Sequence, residues 1–200
     1  INFPNAEHYV LEDRTITHYD NLEEIPYTDI IASSGISFRD NYLRGRVAWT
    51  EVRDNDPNRP SNTEFPEGIP TFTAYNYDVH GNVEALLQFI GDAKTVEYEY
   101  DLVSGNVKCV IFQKGAHDQF MHRYAYDADN RLTKVQTSQD GYVWETDATY
   151  YYYAHGPLAR VELGEYKVQG LDYYYTLQGW LKGVNTPGGS DEMDLGQDRS

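Results

Sequence analysis

The side chains of this 200-residue chain that could do chemistry are its histidines, its carboxylates and a single cysteine. Six histidines could supply metal ligands: His8, His18, His80, His117, His122 and His155. No two of them have the His-Glu-x-x-His spacing that binds zinc on a helix. The segment Asp54–Asn58 is rich in oxygen ligands, yet it lacks the turn glycine and the closing glutamate of an EF-hand loop. We therefore predict no metal site and no cofactor.

Covalent and acid–base catalysis have no better support. The chain contains no Gly-x-Ser-x-Gly elbow, no phosphate-binding glycine-rich loop and no dinucleotide fingerprint. Because 32 residues are Asp or Glu, some pair of carboxylates will always lie at a glycosidase-like separation, so the acids alone do not indicate hydrolysis. Cys109 is the only cysteine, which excludes an intramolecular disulfide. We predict no catalytic residue.

The charge balance excludes two classes of partner. Sixteen Lys and Arg residues face 32 Asp and Glu, which gives a net charge of −16. Such a chain is a poor ligand for nucleic-acid phosphates or for an anionic membrane surface. Its longest apolar stretch, Ala85–Ile90, is interrupted by Gln88 and is far too short to insert in a membrane as a helix. The residues from Ile1 onward lack the basic and then apolar pattern of a signal peptide, and we expect the chain to be a fragment of a longer protein.

The tyrosines reveal an internal repeat. Of 19 tyrosines, 13 lie in five copies of one motif, which reads Tyr-x-Tyr-Asp, a turn and an apolar residue in its clearest form. The apolar residues after the turns are Val83, Val107, Leu132, Leu158 and Leu181, at spacings of 24, 25, 26 and 23 residues. The positions that carry the pattern are Tyr75, Tyr77, Asp78, Gly81; Tyr98, Tyr100, Asp101, Gly105; Tyr124, Tyr126, Asp127, Asn130; Tyr152, Gly156; and Tyr173, Tyr175, Gly179, Trp180.

Each copy predicts a β-hairpin. Tyr-x-Tyr places two rings on one face of a strand, because side chains alternate with period two. The aspartate can accept hydrogen bonds from backbone N–H groups two residues on, which starts a turn. The glycine, or Asn130 in the third copy, stands where a positive φ is expected. The apolar residue then begins a returning strand, so the five copies predict a mainly β fold of antiparallel hairpins in series, without βαβ units.

The remaining residues divide the chain into three parts. Residues 1–71 form an irregular N-terminal β segment with short strands predicted at Thr15–Asp20, Gly35–Phe38 and Gly45–Thr50, the last resembling a degenerate repeat. A proline-rich loop over residues 54–70 closes this part. Residues 72–185 hold the five repeats, and residues 186–200 are an acidic, glycine-rich tail or the start of the next segment.

The repeat units resemble the YD repeat of the RHS (rearrangement hotspot) family. The run Tyr173–Asn185 is also similar to a segment that many bacterial RHS proteins carry shortly before their C-terminal core. The resemblance implies that the hairpins form part of a curved, spiralling β-shell, and that residues 1–71 are a degenerate part of the same shell. In bacterial RHS toxins and toxin-complex C components, such a shell encloses a C-terminal toxic domain, and in teneurins a similar shell lies in a cell-surface adhesion receptor. It also implies a secreted or cell-surface location, and as partners the rest of a longer chain, with further repeats and a C-terminal effector.

Three functions remain open on the sequence alone. The leading hypothesis is a non-enzymatic structural segment that encapsulates or displays an attached effector. The second is a glycan-binding or adhesion module in which Tyr151 and Tyr153 contact sugar rings, although consecutive strand tyrosines alternate between faces and also suit cross-strand ladders. The third is a self-cleaving protease or a glycoside hydrolase. Some family toxins cleave themselves with aspartates, but Asp56-Pro57 is the only Asp-Pro here and has no matching signature around it.

Overall fold

The computed structural model describes residues 13–22, 25, 27–54 and 71–185, and it is almost entirely β-sheet. The strands are β1 Asp13–Tyr19, β2 Val47–Asp54, β3 Thr71–Tyr77, β4 Val83–Ile90, β5 Ala93–Tyr100, β6 Val107–Phe112, β7 Phe120–Tyr126, β8 Leu132–Ser138, β9 Glu145–Tyr152, β10 Leu158–Leu163, β11 Gln169–Tyr175 and β12 Leu181–Val184. One short helix, α1 (Thr28–Ser33), and a 3₁₀ turn at Asp40–Tyr42 lie between β1 and β2. None of the described residues forms a helix with the length and apolar character needed to span a membrane.

Hydrogen bonding follows chain order from β1 to β12, and the strand pairs with a described register are antiparallel. The prediction of antiparallel hairpins in series is therefore confirmed. The five predicted hairpins are β3/β4, β5/β6, β7/β8, β9/β10 and β11/β12.

The N-terminal strand predictions have mixed outcomes. Strands predicted at Thr15–Asp20 and Gly45–Thr50 correspond to β1 and β2. The strand predicted at Gly35–Phe38 is wrong, because these residues have no strand partner and Phe38 packs instead against the core. Most of the proline-rich loop, including most of the possible calcium segment, lies outside the described residues, as do His8 and residues 186–200.

The chain divides into two compact units. The first comprises residues 1–97 and 112–114, and the second comprises residues 98–111 and 115–200. The first unit contains an aromatic core around Trp49 and Phe72, which are 2% and 1% exposed. Cross-strand pairing of Trp49 with Ala74 and of Ala74 with Leu87 places these side chains on one face of the sheet. Residues between β1 and β2 cover that face.

The second unit buries smaller and more polar side chains. Ala148, Ala159 and Val161 are buried on β9 and β10, and four successive residues of β10 are buried. Because neighbouring strand residues point to opposite faces, both faces of β10 are covered. One of these faces carries Arg160 and Glu162, which are treated below.

A β-bulge recurs in the hairpins at one place. The pairing register shifts immediately before the last tyrosine of the outgoing strand, between Asn76 and Tyr77, between Ala125 and Tyr126, and between Tyr174 and Tyr175. A bulge at a fixed position adds twist to each hairpin in the same way. The repeat therefore specifies local strand geometry as well as strand pairing.

Candidate functional site

The aspartates of the repeat organise its turns. Asp78 Oδ1 accepts hydrogen bonds from the N–H groups of His80 and Asn82, both at 2.9 Å. Asp127 Oδ1 accepts from Asp129 and Arg131 in the same way, also at 2.9 Å. Asp101, in a turn one residue longer, accepts from Val103 at 3.0 Å and Ser104 at 2.8 Å. The carboxylate thus satisfies the turn N–H groups that pairing between the strands leaves free.

The turn glycines have the conformation expected from the sequence. All five predicted positions have positive φ: 94° at Gly81, 74° at Gly105, 61° at Asn130, 114° at Gly156 and 84° at Gly179. Asparagine tolerates this region better than other residues with a side chain, which explains why the third copy can dispense with glycine.

The two degenerate copies keep the turn and lose the carboxylate. Tyr153 takes the place of the aspartate in the fourth hairpin, where its N–H donates to Pro157 O at 2.9 Å. Thr176 takes that place in the fifth hairpin, where its N–H donates to Trp180 O at 2.8 Å and its Oγ1 accepts from Trp180 N at 3.2 Å. The backbone turn therefore does not require a charged residue.

We expect Gly81→Ala to destabilise the protein more than Gly105→Ala. Both substitutions force an L-residue into a left-handed conformation, at a cost of about 1–2 kcal/mol. A Cβ at Gly81 would in addition displace the guanidinium of Arg46 from the Tyr42 carbonyl and the Tyr77 ring that it contacts, whereas a Cβ at Gly105 would meet nothing within 4 Å. Urea unfolding of the two variants measures the difference, and equal losses of unfolding free energy would contradict this account.

Hydrogen bonds to two of the turn aspartates also make the stability of the folded chain depend on pH. The N–H groups of Ser104 and Val103 lower the pKa of Asp101, and the Arg131 N–H lowers the pKa of Asp127 despite an opposing desolvation effect. In the unfolded chain both groups return to about 3.9. Their ionised forms therefore stabilise the folded state above about pH 4, and this contribution is lost as the pH falls through the lower folded pKa.

We accordingly expect the free energy of unfolding to decrease as the pH is lowered below about 5. Asp127→Asn keeps an oxygen acceptor for the turn and removes the titrating carboxylate. The free energy of unfolding of this variant should therefore decrease less in acid than that of the unmodified chain. Thermal unfolding at a series of pH values measures this, with Glu99→Gln as a control that removes one exposed strand carboxylate. An identical pH dependence in Asp127→Asn and the parent would refute the assignment.

The second tyrosine of the motif joins one hairpin to the strand before it. The hydroxyls of Tyr77, Tyr126 and Tyr152 donate to the backbone carbonyls of Val47, Val107 and Leu132, at 2.9, 2.9 and 2.7 Å. Each acceptor is the first residue of the returning strand of the preceding hairpin, or of β2 in the case of Val47. The sequence predicted tyrosine ladders between strands, but the carbonyl acceptor has no sequence signal because every residue carries one.

Arginine reinforces two of these contacts. The guanidinium carbon of Arg46 lies 5.5 Å from the centre of the Tyr77 ring, and that of Arg131 lies 4.7 Å from the centre of the Tyr152 ring. Each arginine directly precedes the residue whose carbonyl accepts the same tyrosine's hydroxyl. The ring is thus held by a cation–π contact and the hydroxyl by a hydrogen bond.

The first tyrosines pair along the strand, as the period-two pattern predicts. The rings of Tyr75 and Tyr77 are 6.5 Å apart, and those of Tyr98 and Tyr100 are 6.4 Å apart, both in stacked orientation. Tyr124 stacks on His122 at 6.4 Å. In the fifth hairpin Tyr173 and Tyr175 are half-buried, while Trp180 is 72% exposed.

The two tyrosines predicted to contact glycans lie in different surroundings. Tyr151 is 42% exposed, and its hydroxyl donates to Glu162 Oε2 at 2.9 Å. Tyr153 sits in the turn, donates to Tyr173 O at 2.9 Å and contacts the Tyr175 ring edge-on at 6.3 Å. Both hydroxyls therefore have partners within the protein, and the glycan role stays a prediction.

A buried ionic network on β10 and β11 was missed by sequence reasoning. Arg160 Nη1 donates to both carboxylate oxygens of Asp172 at 2.9 Å, and its Nε donates to Glu162 Oε1 at 3.2 Å. The three residues are only 4%, 6% and 7% exposed. Lys167 Nζ and the Tyr151 hydroxyl both lie 2.9 Å from Glu162 Oε2. The Arg-x-Glu alternation on one strand was the available signal, but the position of Asp172 opposite Arg160 is a matter of register.

The network keeps Glu162 ionised. Burial of this carboxylate opposes ionisation, but hydrogen bonds from Lys167, Tyr151 and Arg160 outweigh it and lower the pKa of Glu162. The same hydrogen bond favours the charged form of Lys167, because it raises the pKa of the lysine ammonium. The cluster is thus a charge-paired structural core in which burial and hydrogen bonding act together on Glu162.

One open cavity of about 270 Å³ lies in the second unit, beside the connection between β8 and β9. Its lining consists of Phe120, Thr137, Ser138, Gln139, Asp140, Val143 and Glu145. Asp140 Oδ1 is engaged in its own turn, where it accepts from the N–H groups of Tyr142 and Val143 at 2.8 and 2.9 Å. Over the described parts of the chain, no three His, Cys, Asp or Glu side chains are grouped to hold a metal ion.

Comparison with known proteins bears on the fold. No family model matches the chain, and no curated protein matches it. Among solved structures it is similar to a chain in the crystal structure of TcdB2-TccC3-Cdc42, with a TM-score of 0.52 and 17% sequence identity. The match covers 72% of this chain and 7% of that chain, so this chain spans a small part of its structural relative. A likeness at this identity defines the class of fold, an antiparallel β-sheet of the kind found within that much larger chain.

Proposed function

We propose that this chain is a structural segment of an RHS-type protein and builds part of a β-shell that encapsulates or displays a C-terminal effector. The observation that carries the proposal is the repeated junction between hairpins, in which a tyrosine hydroxyl donates to the first carbonyl of the preceding returning strand. Such a junction repeats with the hairpin, so a sheet of this kind extends by adding further copies.

Two further observations support the proposal. The described residues form hairpins in series, which suits a wall that is built from repeated units. The structural likeness to a chain of the TcdB2-TccC3-Cdc42 complex is a likeness to a protein many times longer, in which this chain would account for a small part. A secreted or surface location follows from the same proposal.

Imaging of the full-length parent protein by electron cryomicroscopy tests the proposal directly. We expect residues 72–185 to lie in a wall that surrounds separate internal density. If the same residues instead form an isolated domain packed around its own solid core, the shell function is wrong.

A variant of the parent tests the role of the tyrosine junctions. Tyr126→Phe/Tyr152→Phe removes two inter-hairpin hydroxyls and should make the enclosed effector more accessible to an added protease. Tyr142→Phe is the matched control, because this tyrosine is 90% exposed. Equal proteolysis of the effector in both variants would count against a wall held by these junctions.

A further inference from the structure

The hairpin β1/β2 ends in the same way as the YD hairpins. The N–H of Asp20 donates to Arg46 O at 3.1 Å, just as Asp127 N–H donates to Arg131 O at 3.0 Å and Asp78 N–H to Asn82 O at 2.9 Å. Asp20 Oδ1 accepts from the N–H of Gly45, so this carboxylate also stabilises its turn. Tyr19-Asp20 therefore occupies the Tyr-Asp position of the motif.

The register and the following contacts match as well. Tyr19 pairs with Val47 after a shift between His18 and Tyr19, as Tyr126 pairs with Leu132 after a shift that precedes Tyr126. Gly45 has a φ of 72°, in the position of Asn130 with 61°. Arg46 and Val47 hold Tyr77 through its ring and hydroxyl, as Arg131 and Leu132 hold Tyr152.

The difference lies in the turn itself. Three residues, Ala128–Asn130, connect Asp127 to Arg131, whereas residues 21–45 connect Asp20 to Arg46. We call residues 21–44 the strap. Hairpin turns tolerate long insertions because the entropy of loop closure rises slowly with length.

The strap folds back onto the sheet of the first unit. Its apolar side chains that contact the core are Leu22, Ile25, Tyr27, Ile30, Ile31, Phe38 and Leu43. The Tyr27 ring stacks on Phe72 with 4.5 Å between centroids and an interplanar angle of 7°. At its far end Arg39 Nη2 lies 2.6 Å from Glu84 Oε2, and Arg39 N donates to Asn76 Oδ1 at 3.3 Å.

The face beneath the strap is mainly apolar. Strand pairing places Trp49, Ala74 and Leu87 in one row and Phe72 beside Phe89 in the next, where the buried side chain of Glu51 lies on the other side of Phe72. Left uncovered, the apolar side chains would form a contiguous hydrophobic patch, which soluble proteins normally bury against another sheet or another molecule.

We propose that the strap is an insertion in the turn of a sixth YD hairpin, and that it covers this sheet face so that a second copy of the chain cannot pack against it. The strap buries a sheet face that the hairpins alone would leave exposed to solvent. This inference does not depend on the shell function proposed above.

A strapless variant tests both parts of the inference. In it, residues 21–45 are replaced by Ala-Asp-Asn, the connection of the third hairpin. We expect β1 and β2 amides to keep their protection from hydrogen exchange, while the chain elutes as a dimer and binds a hydrophobic dye more strongly. Loss of protection in β1 and β2 would overturn the sixth hairpin. A monomer with unchanged dye binding would overturn the covering role.

A point variant keeps the inference falsifiable if the strapless chain does not fold. Tyr27→Ala removes the ring that stacks on Phe72, and Ser37→Ala changes an exposed residue of the same strap. Tyr27→Ala should speed hydrogen exchange at strap amides such as Ile31 and raise dye binding, whereas Ser37→Ala should leave both unchanged. Identical exchange and dye binding in the two variants would show that the strap is not a cover.

Discussion

Replacing Arg160 with methionine is expected to lower the free energy of unfolding by about 3–5 kcal/mol. Asp172 and Glu162 are each less than a tenth exposed, and both rely on this guanidinium. Without it Asp172, which is only 6% exposed, remains as a buried charge whose bidentate partner is gone. Urea unfolding of the parent and the Arg160→Met variant measures the loss.

Two further variants identify the cause. Lys167→Met breaks an ion pair whose lysine is 62% exposed, so it should lower the free energy of unfolding much less than Arg160→Met does. Arg160→Met/Asp172→Leu removes both members of the central pair and should recover much of the stability that the single variant loses. Equal stability of Arg160→Met and Lys167→Met would show that the buried pair does not control the folding of this region.

Replacing Phe72 with alanine should cost about 3–5 kcal/mol. The ring is 1% exposed and lies between Tyr27, at 4.5 Å, and Phe89, at 5.6 Å between centroids. Truncation therefore removes buried apolar area and leaves a cavity between the sheet and the strap that rigid strands cannot close. Thermal and urea unfolding of the variant provide the measurement.

The control for Phe72 is an apolar residue on a neighbouring strand. Ile90 ends β4 and is 62% exposed, so Ile90→Ala should change the free energy of unfolding by no more than about 0.5 kcal/mol. Phe72→Leu retains most of the buried volume, so its loss of unfolding free energy should lie between those of Phe72→Ala and Ile90→Ala. A loss in Phe72→Ala no greater than in Ile90→Ala would mean that the strap does not depend on this ring.

The repeated hairpins were predictable because their determinants are local. Tyr-x-Tyr fixes which side chains share a face, and Asp78 or Asp127 and the residue at positive φ act within a few positions of one another. The same reasoning predicted β1 and β2 as strands but did not predict that they pair as a hairpin of the repeat type. Tyr19-Asp20 and Arg46-Val47 carry the motif, but the strap separates its two halves, so no window of hairpin length contains both.

The strand predicted at Gly35–Phe38 was wrong because a contact distant in the chain decided its structure. Alternating Ile36 and Phe38 favour a strand locally, but a strand requires a neighbour with free backbone groups, and this segment lies on a sheet face instead. Tertiary packing therefore overrode a weak local preference.

By itself the sequence determined the hairpin, its turn chemistry and its repetition, since these follow from side-chain alternation and from hydrogen bonds between residues close in the chain. Only the tertiary structure decided which carbonyl each tyrosine hydroxyl reaches, which acid lies opposite Arg160 and which segment covers Phe72. Those contacts join residues far apart in the chain through strand register and packing, and neither of these is encoded by any single stretch of residues.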